Sequence, residues 1–283
     1  MKVVTVHRFG PLRAWVPPGE PVVVGATLSA VEGPLEVGLR LRLLDLDRVL
    51  ETHQERVTLQ KTPQRLELVV RPPALSRRGY GLRLELALAG RTVQAASAVE
   101  VLDGWWQSPR HAAMTRYEDP AAAAEATRGL VDWHVNVVQH YDWMWRHYRY
   151  RPPDGARVFV DPLGRTVSHD AVHASVDAGH DVGIASLAYG AVYGAEPEHV
   201  ERHPDDRVFD HDGEPLSLGG AFHINDLRPG SAWRTRLLAE YGDALTSFGF
   251  DGIHMDTYGP PHEAITADGE HVDFAALYPG LIE

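Results

Sequence analysis

Residues 249–259 read GFDGIHMDTYG. They form a short apolar segment that ends in polar residues. Residues 252–255 have the apolar character of a buried strand. A predicted helix over residues 231–248 comes directly before this segment. A helix that leads into a buried strand with polar residues at its carboxyl end is typical of the (β/α)8 barrel, where such residues line the active-site face. Here those polar residues are Asp256, Thr257 and Tyr258.

The same alternation of helix and strand extends back to about residue 120. It implies parallel strands with crossover helices. A complete barrel takes about 250 residues, whereas 163 residues follow residue 120, so the sequence predicts the first half of a barrel. The predicted helices cover residues 119–130, 167–179 and 231–248, and the predicted strands cover residues 135–139, 182–189, 220–225 and 252–256.

Residues 3–101 have a different pattern, in which apolar and polar side chains alternate. The runs 35–43 and 82–88 have the period of two of strands that bury one face. Turn residues separate about seven such runs, and seven strands in about 100 residues predict an immunoglobulin-like β-sandwich. The predicted domains are a sandwich over residues 1–103, a linker over 104–120 and a partial (β/α)8 catalytic barrel of about four strands over 121–283.

The charge distribution narrows the class of ligand. The net charge is −12, with +3 from residues 1–119 and −15 from residues 120–283. An acidic surface repels phosphate backbones, so nucleic acid is excluded as a partner, whereas a neutral sugar is unaffected. The 16 histidines lack the spacing of a metal-binding motif. We therefore expect neither a metal nor a cofactor.

Two further patterns bear on localisation. No apolar run reaches the roughly 18 residues that a membrane-spanning helix needs. The amino terminus also lacks the basic and apolar regions of a signal peptide. We therefore expect a cytoplasmic protein that does not insert into a membrane, and secretion stays open if the amino terminus is processed or truncated.

Polar and aromatic side chains follow each predicted barrel strand. Because the carboxyl ends of parallel strands share one face of a barrel, we expect these side chains to line one cleft. Aromatic rings stack on the apolar faces of sugar rings, while carboxylates and amides bind sugar hydroxyls. The sequence therefore predicts a carbohydrate site. Its predicted binding residues are Tyr141, Asp142, Trp143, Tyr189, Asn225, His254 and Tyr258.

Several of these residues have a structural alternative. Asp142 and Asn225 could instead cap the segments that follow them by bonding backbone amides. Trp143 could fill the core rather than stack on a sugar. His254 shares a strand face with Asp256 under strict alternation, which places it beside that carboxylate.

Four segments carry a resemblance to a known family. They are VQHYDWMWRH at 138–147, DPLGR at 161–165, AYGAVYGA at 188–195 and GFDGIHMDTYG at 249–259. Together they resemble glycoside hydrolase family 66, which comprises dextranases and cycloisomaltooligosaccharide glucanotransferases. The resemblance implies a retaining attack on α-1,6-glucan, such as dextran or isomaltooligosaccharides, with Asp256 as the nucleophile. A strand terminus suits a rigidly aimed carboxylate, whereas the rival Asp251 lies at the opposite end of the strand.

The general acid/base of this reaction is not found in the chain. A retaining glycosidase needs a second carboxyl group roughly 5–5.5 Å from the nucleophile, which in the family is a glutamate on a later strand. Glu263, Glu270 and Glu283 match no such motif. We therefore expect little or no hydrolase activity from this chain alone.

Two interpretations of the incomplete site remain open. The chain could be a fragment of a longer enzyme, which we favour, or a homodimer that completes a barrel from two halves. A different class of function is a non-catalytic carbohydrate-binding or assembly protein with a degenerate barrel. The sequence does not distinguish a hydrolase from a cyclising transglycosylase.

Overall fold

The computed structural model describes residues 4–256 and 259–282 and consists mostly of β-strands with few helices. The strands are β1 (Val4–Pro11), β2 (Val22–Ala30), β3 (Leu35–Asp45), β4 (Arg48–Leu59), β5 (Gln64–Val70), β6 (Arg78–Leu88), β7 (Arg91–Val101), β8 (His111–Met114), β9 (Val137–His140), β10 (Val158–Val160), β11 (Thr166–Ser168), β12 (Ala185–Ala191), β13 (Gly194–Ala195), β14 (Val208–Phe209), β15 (Ser217–Leu218), β16 (Phe222–Ile224), β17 (Gly252–Asp256), β18 (Glu263–Thr266) and β19 (His271–Asp273).

The helices are short, apart from two that lead into strands. They are α1 (Pro120–Gly129), α2 (His169–Asp181), α3 (Pro197–Arg202), α4 (Ala232–Phe248) and α5 (Phe274–Leu277), with 3₁₀ turns at Trp105–Gln107, Leu130–Trp133, Pro204–Asp206 and Pro279–Leu281. No helix in the described part of the chain is long and apolar enough to cross a membrane.

The first compact unit contains residues 4–112, 126–138 and 178–185. Its seven amino-terminal strands form two antiparallel sheets, one with the order β1-β2-β5 and one with the order β4-β3-β6-β7. Alternate residues of both sheets are buried in one apolar cluster, to which β2 contributes Leu28 and β3 contributes Leu41. The period-two pattern therefore predicted both the strands and the faces that they bury.

The second compact unit contains residues 113–125, 139–177, 186–256 and 259–282. Helix α2 leads into β12 and helix α4 leads into β17, and these two strands pair in parallel, with Ala191 opposite Asp256. Helix α4 begins where the Ser231 side chain accepts a hydrogen bond from the Arg234 amide, and it ends at Gly249, which has a φ of 74°. The predicted alternation of helix and parallel strand is confirmed for this pair.

Two predicted elements of the barrel sheet need correction. Strands β12 and β17 belong to a four-stranded sheet with the order β17-β12-β9-β8. Strand β8 lies within the predicted linker 104–120, whereas the predicted strand 220–225 is absent from this sheet. It forms β16 of a separate antiparallel sheet, because Gly219 and Gly220 have φ angles of 57° and 74° and turn the chain back after β15.

A buried histidine at the start of α2 makes the stability of the fold sensitive to acid. The His169 ring is 5% exposed and packs 4.8 Å from the ring centres of Phe159 and Phe248. Burial, followed by the positive charge of Arg151, lowers the pKa of His169 to about 4. The unfolded chain takes up a proton below about pH 6.5, so the contribution of neutral His169 to stability is lost as the pH falls from 6.5 towards 4.

We expect this linkage to be worth about 3 kcal/mol between pH 7 and pH 4, since each unit of pKa shift corresponds to about 1.4 kcal/mol. His169→Phe fills the same apolar site without binding a proton. The measurement is denaturant unfolding of the wild type and the variant at pH 7 and pH 4.5. The variant should lose less stability on acidification. Equal losses in the two proteins would contradict the assignment of a neutral buried imidazole.

Candidate active site

Asp256 is the last residue of β17, and its side chain is half-buried. The backbone amide of Val192, just after β12, donates to the Asp256 carbonyl at 3.1 Å. The carboxyl ends of these two parallel strands therefore lie at the same edge of the sheet. Side chains at such an edge face the position where ligands bind in parallel α/β structures.

Tyr189 connects β12 to this carboxylate. The Tyr189 hydroxyl forms a side-chain hydrogen bond with Asp256. In the strand register, Tyr189 lies opposite His254. Burial, then the negative charge of Asp256, raises the pKa of Tyr189 well above its usual value. The hydroxyl therefore stays protonated at neutral pH and donates a hydrogen bond to Asp256, which holds the carboxylate in one orientation.

Tyr141 packs against Tyr189 just after β9. The two ring centres are 4.6 Å apart with an angle of 56° between the rings. Burial, then the charges of Asp142 and Asp256, raises the pKa of Tyr141. The structure thus brings three predicted site residues to one place, namely Tyr141, Tyr189 and Asp256.

Asp142 is held by an arginine from the DPLGR segment. Its Oδ2 accepts from Arg165 Nη2 at 2.7 Å, and Arg165 Nε in turn donates to Asp161 Oδ2 at 2.7 Å. Asp142 is 7% exposed and has a φ of 47°, an uncommon backbone conformation that is enriched at functional sites. Burial raises the pKa of Asp142 despite the opposing effect of Arg165.

The sequence analysis missed a buried histidine–glutamate pair beside Asp142. The carboxylate of Glu196 accepts from His147 Nδ1 at 2.8 Å and from the His147 backbone amide at 3.0 Å. The other ring nitrogen of His147, Nε2, lies 3.8 Å from Asp142 Oδ1. Burial raises the pKa of Glu196, but the hydrogen bonds and charge of His147 outweigh burial and hold this pKa below its usual value.

Trp143 and Asn225 are core residues, which corrects their prediction as sugar contacts. Trp143 has no exposed surface, and its Nε1 donates to the Tyr189 carbonyl at 3.1 Å. Asn225 is also fully buried, and its Nδ2 donates to the carbonyls of Tyr193 and His223, both at 3.0 Å. Neither side chain presents a surface to a ligand in this conformation. Trp143 fills the core, as its structural alternative predicted, whereas Asn225 binds carbonyls of earlier residues and not the amides of the segment that follows it.

The remaining candidate positions differ in what can be said of them. His254 is half-buried on β17, two residues before Asp256, as the strand pattern predicted. Tyr258 lies outside the described residues. Asp251 precedes β17, and its Oδ2 accepts from the Ser186 amide at 2.7 Å at the opposite end of the strand pair. This contact gives Asp251 a structural role.

Glu263 and Glu270, which follow β17, form surface ion pairs. Glu263 Oε2 lies 3.5 Å from His271 Nε2, and Glu270 Oε2 accepts from Arg228 Nη1 at 3.0 Å. Glu263 and Glu270 are 59% and 68% exposed, whereas a general acid needs burial or a negative neighbour to keep its proton at neutral pH. Glu283 lies outside the described residues.

Comparison with known proteins identifies the family. The sequence profile of glycosyl hydrolase family 66 matches residues 13–283. The chain belongs to family 66. The match covers both the amino-terminal strands from β2 onward and the whole segment that carries Asp256.

Two curated relatives are cycloisomaltooligosaccharide glucanotransferases of Niallia circulans. One is 25% identical over 265 residues, which cover 86% of this chain and 26% of the relative. The other is 24% identical over 221 residues, which cover 73% of this chain and 23% of the relative. This family 66 chain therefore spans about a quarter of the length of these relatives.

A solved structure of similar fold is the cycloisomaltooligosaccharide glucanotransferase of Paenibacillus sp., complexed with cycloisomaltoheptaose. It superimposes with a TM-score of 0.87 at 23% sequence identity, over 98% of this chain and 42% of the solved chain. The arrangement of elements described above is therefore a family 66 fold along nearly its whole length.

Proposed function

We propose that this chain provides the nucleophile of a retaining glycoside hydrolase or transglycosylase, and that Asp256 is that nucleophile. The observation that carries the proposal is the hydrogen bond between the Tyr189 hydroxyl and the Asp256 carboxylate at the carboxyl ends of two parallel strands. A carboxylate attacks an anomeric carbon efficiently only when it is ionised and held in one orientation. The phenol of Tyr189, which donates to this carboxylate, holds it in one orientation.

The proposed substrate is an α-1,6-glucan, such as dextran or an isomaltooligosaccharide. The names of the two curated relatives, and the cycloisomaltoheptaose in the solved structure, support this class. The acidic charge of residues 120–283 also favours a neutral ligand over an anionic one. We propose that Tyr141 stacks on a glucosyl ring and that Asp142 accepts from a sugar hydroxyl.

The proposed architecture follows the sequence prediction. We interpret the two sheets of β1 to β7 as an immunoglobulin-like sandwich over residues 1–103. We interpret residues 121–283, together with β8, as the first half of a (β/α)8 barrel, supported by the parallel pair of β12 and β17 and the helices that precede them. In such a barrel, the carboxyl end of β17 would place Asp256 at the floor of a cleft.

Some substrates need an acid to protonate the leaving group, whereas others do not. An unactivated glucan needs a proton on the leaving oxygen, and we assign no residue of this chain to that role, because Glu263 and Glu270 are surface residues. We therefore propose that the 283-residue chain has little or no activity on dextran. A glycosyl fluoride needs no such proton, since fluoride leaves as an anion.

The test is to trap the glycosyl-enzyme with isomaltosyl fluoride that carries a second fluorine at C5, which slows hydrolysis of the ester. A carboxylate oxygen of Asp256 forms a bond to C1 while the C1–F bond breaks and fluoride leaves. Mass spectrometry of the intact chain and its peptides should find one isomaltosyl adduct on the peptide that contains Asp256. Binding of isomaltooligosaccharide without any adduct would instead favour the non-catalytic carbohydrate-binding protein.

A further inference from the structure

A groove crosses the outward face of the four-stranded sheet β4-β3-β6-β7, far in sequence from Asp256. Its volume is about 390 Å³, within the range of pockets that hold small ligands. Its floor is formed by Gly38 of β3 and Ala87 of β6. Since both residues point away from the apolar core of this unit, the groove is a feature of the sheet surface. We call it the Gly38 groove.

The strand register explains how the groove is built. One row of residues across the four strands is polar throughout, whereas the neighbouring row has small side chains on its two inner strands. The depression lies along the row with small side chains. Its position is therefore fixed by the pairing of the strands and does not depend on loops. The polar row is Gln54, Arg40, Glu85 and Gln94, and the depressed row is Arg56, Gly38, Ala87 and Thr92.

Gly38 is unexplained by the fold. It lies within an inner strand, where glycine weakens the sheet and often marks a place where a ligand approaches the backbone. Its φ lies outside the left-handed region, and a Cβ added to it would meet only the Ala87 Cβ at 3.6 Å, an ordinary contact. The backbone therefore tolerates a larger residue here, and what such a residue would fill is the groove.

The polar lining suits hydroxyl groups. The Glu85 carboxylate accepts from Arg42 Nη1 at 3.1 Å and from Arg40 Nη1 at 3.4 Å, which fixes both partners on the surface. The charged side chains around the groove are paired with one another, Arg40 and Arg42 with Glu85, and Arg56 with Glu36. A lining that offers both donors and acceptors in paired charges matches sugar hydroxyls, which both donate and accept, better than it matches an anion.

We propose that the Gly38 groove is a second glucan-binding site, separate from the Asp256 site, which takes a short segment of a neutral oligosaccharide. The choice of an α-1,6-glucan as its ligand rests on the proposed function. Such a site would hold a long substrate chain on the enzyme while its end reacts elsewhere. Two linked sites on one chain raise the effective concentration of a polymer without any change at the reacting carbon.

The test is a titration of the full chain with isomaltohexaose, in which binding is measured from the backbone amide shifts in two-dimensional NMR spectra. Amides of β3 and β6 around Gly38 and Ala87 should shift on titration. Gly38→Thr should weaken binding at these amides at least ten-fold without lowering the melting temperature, because threonine favours strands. The matched control is Gly79→Thr, since a Cβ at Gly79 of β6 meets nothing within 4 Å and lies outside the groove lining.

A second variant guards against misfolding of the first. Ala87→Gln fills the same space from the opposite strand and should have the same effect on binding. Unchanged affinity at β3 and β6 in both filled variants would overturn the proposal. So would shifts that appear only around Tyr189 and Asp256, although that result would leave the proposed function intact. Tighter binding of an oligogalacturonate than of isomaltohexaose would overturn the assignment of a neutral ligand.

These experiments can contradict the proposal for the groove and the proposal for the Asp256 site independently of each other. Loss of the isomaltosyl adduct with binding at Gly38 retained would contradict only the catalytic proposal. An adduct on Asp256 with no shift in β3 or β6 would contradict only the groove. Gly38→Thr should leave the rate of adduct formation unchanged, because Gly38 has no part in the site around Tyr189.

Discussion

Asp256→Asn is expected to abolish formation of the isomaltosyl adduct, with a loss of at least about 10⁴-fold in rate. The amide has nearly the same shape as the carboxylate and still accepts a hydrogen bond from Tyr189. It lacks the negative charge that attacks the anomeric carbon, so the glycosyl ester cannot form. The measurement is the rate of adduct formation by intact-protein mass spectrometry at saturating isomaltosyl fluoride.

The matched control for this substitution is Asp251→Asn. Asp251 lies at the other end of the same strand and binds the Ser186 amide, a contact that an amide oxygen preserves. In the Asp251→Asn variant, the adduct on Asp256 should form at the wild-type rate. Tyr189→Phe should fall between the two, with a 10- to 100-fold loss, since a hydrogen bond to a charged group contributes about 1.5–3 kcal/mol. An adduct on another residue in Asp256→Asn would overturn the nucleophile assignment.

The sequence predicted the strands that have a clear period and misjudged the short ones. Strands β3 and β6 have 11 residues each, long enough for alternation to be unambiguous. Strand β8 has four residues, His111–Met114, too few to show a period, so it was predicted as linker. Within the predicted run 220–225 only residues 222–224 form a strand, because Gly220 belongs to the turn before it, and periodicity does not distinguish a parallel strand from one arm of an antiparallel hairpin.

The candidate site shows a related limit. Tyr141, Asp142 and Trp143 are consecutive, and the sequence placed all three in the cleft. The structure instead buries Trp143 completely and leaves Tyr141 beside Tyr189, because the direction of each side chain is set by the backbone after the strand ends. Glu196 was missed because its partner His147 is 49 residues away, and no local spacing connects them.

Trp143→Ala is expected to destabilise the second compact unit by about 3–5 kcal/mol, the range observed when a large buried aromatic residue is truncated. The indole has no exposed surface and packs 4.7 Å from the ring centre of Phe248 and 4.9 Å from that of Phe250. Truncation leaves a cavity between these rings and removes the donor to the Tyr189 carbonyl. The measurement is equilibrium unfolding in denaturant.

Trp133→Ala is the matched control, because Trp133 is 79% exposed and exposed substitutions usually change stability by less than about 0.5 kcal/mol. Trp143→Phe separates the two contributions of the indole. It keeps an aromatic ring in the core but leaves the Tyr189 carbonyl without the indole donor, a loss of about 1–3 kcal/mol. Because Tyr189 of β12 donates to Asp256 at the end of the neighbouring strand β17, Trp143→Phe should also slow adduct formation in protein that is still folded. Equal stability of Trp143→Ala and wild type would show that Trp143 does not support this strand, and a wild-type rate in Trp143→Phe would show that the indole does not position Tyr189.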